Sequence, residues 1–126
     1  MVGKIVRCLT QYYDKKLHRD SIKARPALVL RSPVDDDYVV LPISTIPNRI
    51  NRNPIYDIEI DPSKFPKISL NRLSYIRTHR MVSIPMQQID KSVIIGDLKS
   101  DYEELFLEIA EKVEQFHNEI MEGLLE

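Results

Sequence analysis

A small, mainly β barrel with a C-terminal helix is the fold that the sequence predicts, and three observations predict it. Short runs rich in β-branched and apolar residues, separated by turn residues, fill the first three quarters of the chain. Helical period is confined to the last quarter. The 126 residues are enough to bury one core and too few for two, so a single domain (1–96 barrel, 97–126 helical segment) is expected.

Lys4-Ile5-Val6-Arg7-Cys8-Leu9 alternates and reads as a first strand, whereas Gln11 to Ala24 is polar, basic and aperiodic and reads as a long loop. Pro26 to Leu30 and Tyr38 to Ile43 are apolar runs on either side of Ser32-Pro33-Val34-Asp35-Asp36-Asp37, whose Pro and Asp residues favour a turn, so they predict a hairpin through the core. Pro47 to Pro54 is rich in Asn, Arg and Pro and predicts a surface loop presenting Arg49 and Arg52. Tyr56 to Ile60, Ser74 to Arg77 and Met81 to Ile84 are further short strands, and Met86 to Ile89 suits one helical turn. Ser100 and Glu103 have the spacing of a capping box, which starts a helix running to about Met121. On it Tyr102, Phe106, Ile109, Val113, Phe116 and Ile120 form one stripe, to be packed on the barrel. At ~1.5 Å per residue the helix is on the order of 30 Å long, so its last turns are placed to meet a second subunit.

The formal net charge of −1 conceals two opposite regions. Residues 97–126 hold ten acids and two bases, a balance of −8, leaving sixteen bases, nine acids and +7 on residues 1–96. A basic body suits a polyanion such as RNA, and equally suits an ordinary solvated surface. No apolar run approaches the roughly 20 residues of a membrane span, and Met1-Val2-Gly3-Lys4 does not open a signal peptide, so a cytoplasmic protein is expected. The one cysteine, Cys8, lies in an apolar alternation and has no partner for a bridge or a thiolate zinc site; a buried thiol is expected. Gly3, Gly96 and Gly123 are scattered, so there is no phosphate-binding glycine loop, and no cofactor or metal is expected.

His18, His79 and His117 are isolated in sequence, and His117 reads as a surface residue of the helix. In Ser74-Tyr75-Ile76-Arg77-Thr78-His79-Arg80, Arg77 and His79 are two apart and share a face if the strand continues. RNA cleavage by the 2′-hydroxyl requires a base, cations for the charge growing on phosphorus, and an acid for the departing 5′-oxygen. Arg and His match those needs, although a paired or exposed His is the commoner case. Arg25, before a core strand, and Ser44-Thr45, at the end of the next, add groups able to hold a phosphate oxygen; each singly is also an ordinary solvated or capping residue.

Over nearly its whole length the chain resembles the MazF/PemK toxin family. The resemblance is carried by Gly3-Lys4-Ile5-Val6, Lys23-Ala24-Arg25-Pro26-Ala27-Leu28-Val29-Leu30 and Val39-Val40-Leu41-Pro42-Ile43-Ser44-Thr45. Ile58-Glu59-Ile60-Asp61, Ser74-Tyr75-Ile76-Arg77, Val82-Ser83-Ile84 and Ile95-Gly96-Asp97-Leu98 follow in order. It implies an SH3-like barrel, a homodimer, and a metal-independent, sequence-specific endoribonuclease of single-stranded RNA, neutralised by an antitoxin with an acidic C-terminal segment. It implies that Arg25 contacts the scissile phosphate, that Ser44 assists, and that Arg77 stands where some members have the general acid. His79 stands where members commonly have Asp or Glu, so imidazole either replaces the carboxylate base or marks a site without activity. Thr45, Arg49, Arg80, Lys23, Arg19 and His18 are the expected RNA-contacting residues. The segment from Gln11 to Ala24 lacks the glycines common in the family, so no RNA sequence preference is implied.

Two other readings use the same barrel: a gyrase-binding toxin like CcdB, which acts without catalysis, and an inactive RNA-binding relative. A hydrophobic C-terminal end distinguishes the first, and the acidic composition here argues against it.

Overall fold

The computed structural model describes residues 1–126, except for the side chains of residues 10 and 11. Seven strands are described: β1 (Lys4–Asp14), β2 (Arg19–Val34), β3 (Asp37–Ser44), β4 (Asp57–Ile60), β5 (Ser74–Arg77), β6 (Val82–Pro85) and β7 (Ile89–Asp97). They form one antiparallel sheet in the order β4-β5-β3-β2-β1-β7, with β6 pairing beside β5 along the same edge of β3. The sheet curls into a half-barrel, and a short helix α1 (Leu98–Asp101) leads into the long α2 (Glu103–Leu124). The mainly β fold with a C-terminal helix is therefore the one predicted.

The apolar runs of β2 and β3 are continuous because both faces of the central strands are covered. On one face Ile5, Leu28, Leu41, Ile43, Ile58, Ile60 and Ile76 pack with Leu98, Leu105 and Ile109 of the helices. On the other, Val6, Cys8, Ala27, Val29, Tyr38, Val40 and Ile89 form a second cluster. Cys8 lies there as a buried free thiol, pushed up to about 11 by burial and so unsuited to act as a nucleophile. The β2–β3 turn falls at Asp35 and Asp36, both at positive φ (53° and 65°), a conformation that Asp tolerates better than most residues.

Four expectations are corrected. Residues 11–24 are not a loop: β1 and β2 pair through to Asp14↔Arg19, as a two-stranded ribbon turning over Lys15–His18. Asp14 Oδ1 accepts from the amides of Lys16 (2.9 Å) and Leu17 (3.2 Å), and His18 takes φ 52°. This ribbon stands beyond the core, with Tyr12, Tyr13, Leu17 and Ile22 exposed, so no buried face imposes an apolar alternation on it. The capping box does not form. Asp97 caps α1 by accepting from Ser100 N (3.2 Å), and the helix is interrupted at Tyr102 (φ −141°). Tyr102 leaves helical geometry with its hydroxyl accepting from Lys67 N (2.9 Å) and its ring edge-on to Phe65. Of the proposed stripe, Ile109 is buried and Tyr102, Phe106, Val113 and Phe116 are half-buried, whereas Ile120 is exposed and α2 continues to Leu124. Finally, β7 closes against β1 where no strand was expected; its polar start at Asp90-Lys91-Ser92 and two register shifts against β1 hide its period.

Candidate functional site

Strand alternation gathers the candidates on one face. Ser44 pairs with Tyr75, and Asp57 with Arg77, so Ser44, Tyr75, Arg77 and Asp57 share the side of the sheet opposite Ile43, Ile58 and Ile76. Ala27 pairs with Pro42, so two residues further along, Arg25 on β2 and Ser44 on β3 fall on that same side. Arg19 and Lys23 continue the Arg25 side of β2 out along the ribbon, where the Lys23 ammonium lies 6.0 Å from the Tyr12 ring. Arg25, Thr45, Arg49 and Arg80 are exposed, and Ser44 is half-buried. His18 occupies the ribbon turn, at the far end from Arg77.

The centre of the site is a carboxylate that sequence reading did not single out. Asp57 has a side chain only 1% exposed. It accepts from Asn53 N (2.7 Å to Oδ2), from Arg77 Nε (3.1 Å to Oδ1) and, at the edge of hydrogen-bond range, from Arg77 Nη2 (3.4 Å to Oδ2). The strand ends at Arg77, so His79 is not its neighbour by alternation. The turn that follows is pinned by Thr78, whose buried hydroxyl donates to Tyr56 O (2.6 Å). That turn brings His79 Nδ1 to 3.8 Å from Asp57 Oδ1, so Arg77 and His79 do meet, at Asp57. The sequence signal for Asp57 is the alternation of Tyr56-Asp57-Ile58, which sets a polar residue opposite Arg77 once β4 and β5 pair.

His79 is enclosed. Its side chain is 13% exposed, its ring stacks on Tyr56 (5.8 Å) and meets the edge of Phe116 from α2 (6.2 Å), and Nδ1 is buried without a hydrogen bond. Burial lowers its pKa below 6.5; Asp57 opposes that shift, and Arg77 and Arg80 add to it. Desolvation outweighs the ion pair because 3.8 Å is too long for a hydrogen bond that would hold the charged form. Tyr56 is similarly shut in: burial, and then the Glu119 carboxylate on α2, push its hydroxyl up to about 12.

A neutral buried His makes stability depend on pH. With the folded pKa below the unfolded value of 6.5, the unfolded chain binds more protons between the two. The contribution of His79 is therefore intact above about pH 6.5 and is lost as pH falls toward the folded pKa. Thermal midpoints measured from pH 8 to 5 should fall over that window, and His79→Gln should flatten the fall. An identical slope in the variant would assign the dependence to other groups.

Beside Asp57 the segment from Ile46 to Tyr56 forms the rim. Arg52 is tied down, its Nε donating to Ile46 O (2.9 Å) and its guanidinium 4.7 Å from the Tyr75 ring. Asn53 Oδ1 accepts from Ile55 N and Tyr56 N, which sets the turn into β4. The rim and sheet enclose an open groove of about 430 Å³ lined by Arg49, Arg52, Asn53, Pro54, Asp57, Glu59 and Tyr75. That size suits a small ligand or one unit of a polymer. Arg49 is the exposed cation of this groove and Glu59 an exposed carboxylate. Among the described residues, no three His, Cys, Asp or Glu side chains are gathered as metal ligands would be.

The fold and site thus define a curled antiparallel sheet with an arginine-bearing face and a buried Asp–Arg–His cluster at its edge. No protein-family model matches the chain, and no curated protein matches it either. Among the described residues, no helix is long and apolar enough to cross a membrane.

Proposed function

We propose that this chain is a metal-independent endoribonuclease of the MazF/PemK kind, the toxin of a toxin–antitoxin pair, acting on single-stranded RNA in the cytoplasm. The observation that carries this reading is the shared face of Arg25, Ser44 and Arg77, with Arg77 fixed by buried Asp57 beside His79. These are the groups that in-line attack by a 2′-hydroxyl requires. Neutral imidazole takes the proton from the 2′-oxygen, which bonds to phosphorus as the bond to the 5′-oxygen breaks. The proton passes from the imidazolium, through water, to the leaving 5′-oxygen. Guanidinium groups on one face stabilise the dianionic phosphorane in between. Arg77, bonded to a carboxylate, is suited to that electrostatic role rather than to giving up a proton.

In the same reading a second copy of the chain meets the end of α2, where Ile120, Met121, Leu124 and Leu125 are exposed, and an acidic antitoxin segment competes with RNA for the basic face. Incubation of a single-stranded RNA with the protein in EDTA should give a 2′,3′-cyclic phosphate and a 5′-hydroxyl. Cleavage abolished by EDTA and restored by magnesium would sink the mechanism. Although the C-terminal segment is acidic overall, the exposed apolar residues at the end of α2 also favour a second reading, a CcdB-like module that binds gyrase without catalysis. Absence of RNA cleavage together with inhibition of gyrase would select it.

A further inference from the structure

We propose that Asp57 is the positioning residue of the site: its carboxylate fixes His79 as the tautomer protonated at Nδ1, leaving Nε2 to receive the 2′-hydroxyl proton, and clamps the Arg77 guanidinium alongside. This rests on the endoribonuclease reading for its consequence and on geometry alone for its cause.

A neutral imidazole carries one proton, and its place is set by what faces each nitrogen. Nδ1 is buried, and the group facing it is Asp57 Oδ1 at 3.8 Å, an acceptor that has no proton to give. A lone pair at Nδ1 would lie close to a carboxylate and be repelled; an N–H there lies close to an anionic acceptor and is favoured. The other charged groups near the ring cannot reverse this preference. Arg77 turns Nε to Asp57 and Nη2 to Asp57 and the Asn51 carbonyl, Arg80 is exposed, and α2 presents the hydrocarbon edge of Phe116 while its Glu119 lies toward Tyr56. Because Nδ1 is fully buried, the 13% of the side chain open to solvent belongs to the rest of the residue. The distance of 3.8 Å is long for a bond in the resting state, and catalytic hydrogen bonds commonly tighten when substrate is bound.

Asp57 is itself held so that it cannot turn away. Asn53 N binds Oδ2 at 2.7 Å, the shortest contact of the cluster, and Arg77 spans both oxygens. This arrangement makes Asp57→Asn informative. The Asn53 amide requires an oxygen, so the new side chain keeps its carbonyl there and turns its NH₂ to the former Oδ1 position. That NH₂ would donate to Nδ1 and oppose Arg77 Nε, favouring the tautomer protonated at Nε2, which has no lone pair left for the substrate.

The test is ¹⁵N NMR of His79 in the full chain, without RNA, across pH 5 to 8. In the wild type, Nδ1 should show as protonated and Nε2 as the bare nitrogen; the reverse pattern overturns the proposal without any variant. In Asp57→Asn the tautomer should invert and the titration midpoint should fall, since an anion that favoured the charged ring is gone. An unchanged tautomer and midpoint would also overturn it. If Asp57→Asn does not fold, the wild-type spectrum decides alone. Cleavage by a folded Asp57→Asn should fall by about 10² or more, as for a base held in the wrong tautomer. If the predicted tautomer is found but the wild-type protein cleaves no RNA, the endoribonuclease reading fails and the positioning by Asp57 stands.

Discussion

Arg77→Ala is expected to destabilise the protein by about 3 kcal/mol as well as to abolish cleavage, because it strands a buried carboxylate. From the sequence alone Arg77 reads as a residue whose loss slows the reaction and leaves the thermal midpoint near wild type. The structure changes that expectation. The side chain of Asp57 is 1% exposed and that of Arg77 17%, and their contact supplies most of the counter-charge of Asp57. After truncation Asp57 keeps the Asn53 amide and His79, neither of which replaces a guanidinium. With Arg77 gone, a positive charge that lowered the His79 pKa is also gone, so His79 should protonate more readily and recover part of the loss in mild acid. Urea denaturation at pH 7.5 and pH 5.5 measures this, the deficit being smaller at the lower pH. Arg77→Lys should fall in between, since an ammonium keeps the charge but not the fork that spans two oxygens. A wild-type midpoint for Arg77→Ala would show that the pair contributes nothing net, and any rate loss would then belong to chemistry alone.

What the sequence made legible follows from where burial imposes a period. The runs at β2 and β3 are covered on both faces, β4 carries its apolar residues on one, and β5 buries Tyr75 and Ile76 on opposite faces; all four are readable as strands. The ribbon of residues 11–24 is held by backbone hydrogen bonds between two strands whose described side chains are mostly exposed, Tyr12, Tyr13 and Ile22 among them, so burial imposes no pattern on them. The start of α2 is hidden in the sequence for a related reason. Ser100 and Glu103 have capping-box spacing, but Asp97 caps first, and the interruption at Tyr102 arises from a bond to Lys67 that is 35 residues away. At the site, Arg25, Ser44 and Arg77 were recognisable as residue types and share a face through register, a property of pairing between strands that no single strand displays. Asp57 is not distinguishable in the sequence because its significance lies in pairing with a residue twenty positions later and in the burial of its side chain. His79 reaches Asp57, the partner of Arg77, by a turn pinned at Thr78 and not by the strand alternation that the sequence suggests, since the strand ends at Arg77.

Arg25→Ala provides the cleanest separation of catalysis from folding. Arg25 is exposed on β2 opposite Cys8, its backbone held in the ribbon, and no carboxylate lies within salt-bridge distance of it among the described residues. Its removal should therefore leave stability within about 0.5 kcal/mol of wild type, as for most surface positions without a buried partner. If Arg25 binds the scissile phosphate, cleavage should nonetheless fall by about 10² to 10³, the usual cost of losing one preorganised donor to developing charge. The loss should also appear in binding of an uncleavable RNA, whose dependence on salt should weaken by roughly 0.7 in the log–log slope for one phosphate contact fewer on a single strand. Arg31→Ala supplies the control: it removes an exposed arginine from the same strand, but one that lines the apolar groove beneath α2. The two variants are equal in net charge and so separate a general attraction to polyanions from a placed contact. Equal, small losses in both would reduce Arg25 to one cation among many on a basic surface; a loss confined to Arg25, at an unchanged melting temperature, assigns it to the phosphate that is cut.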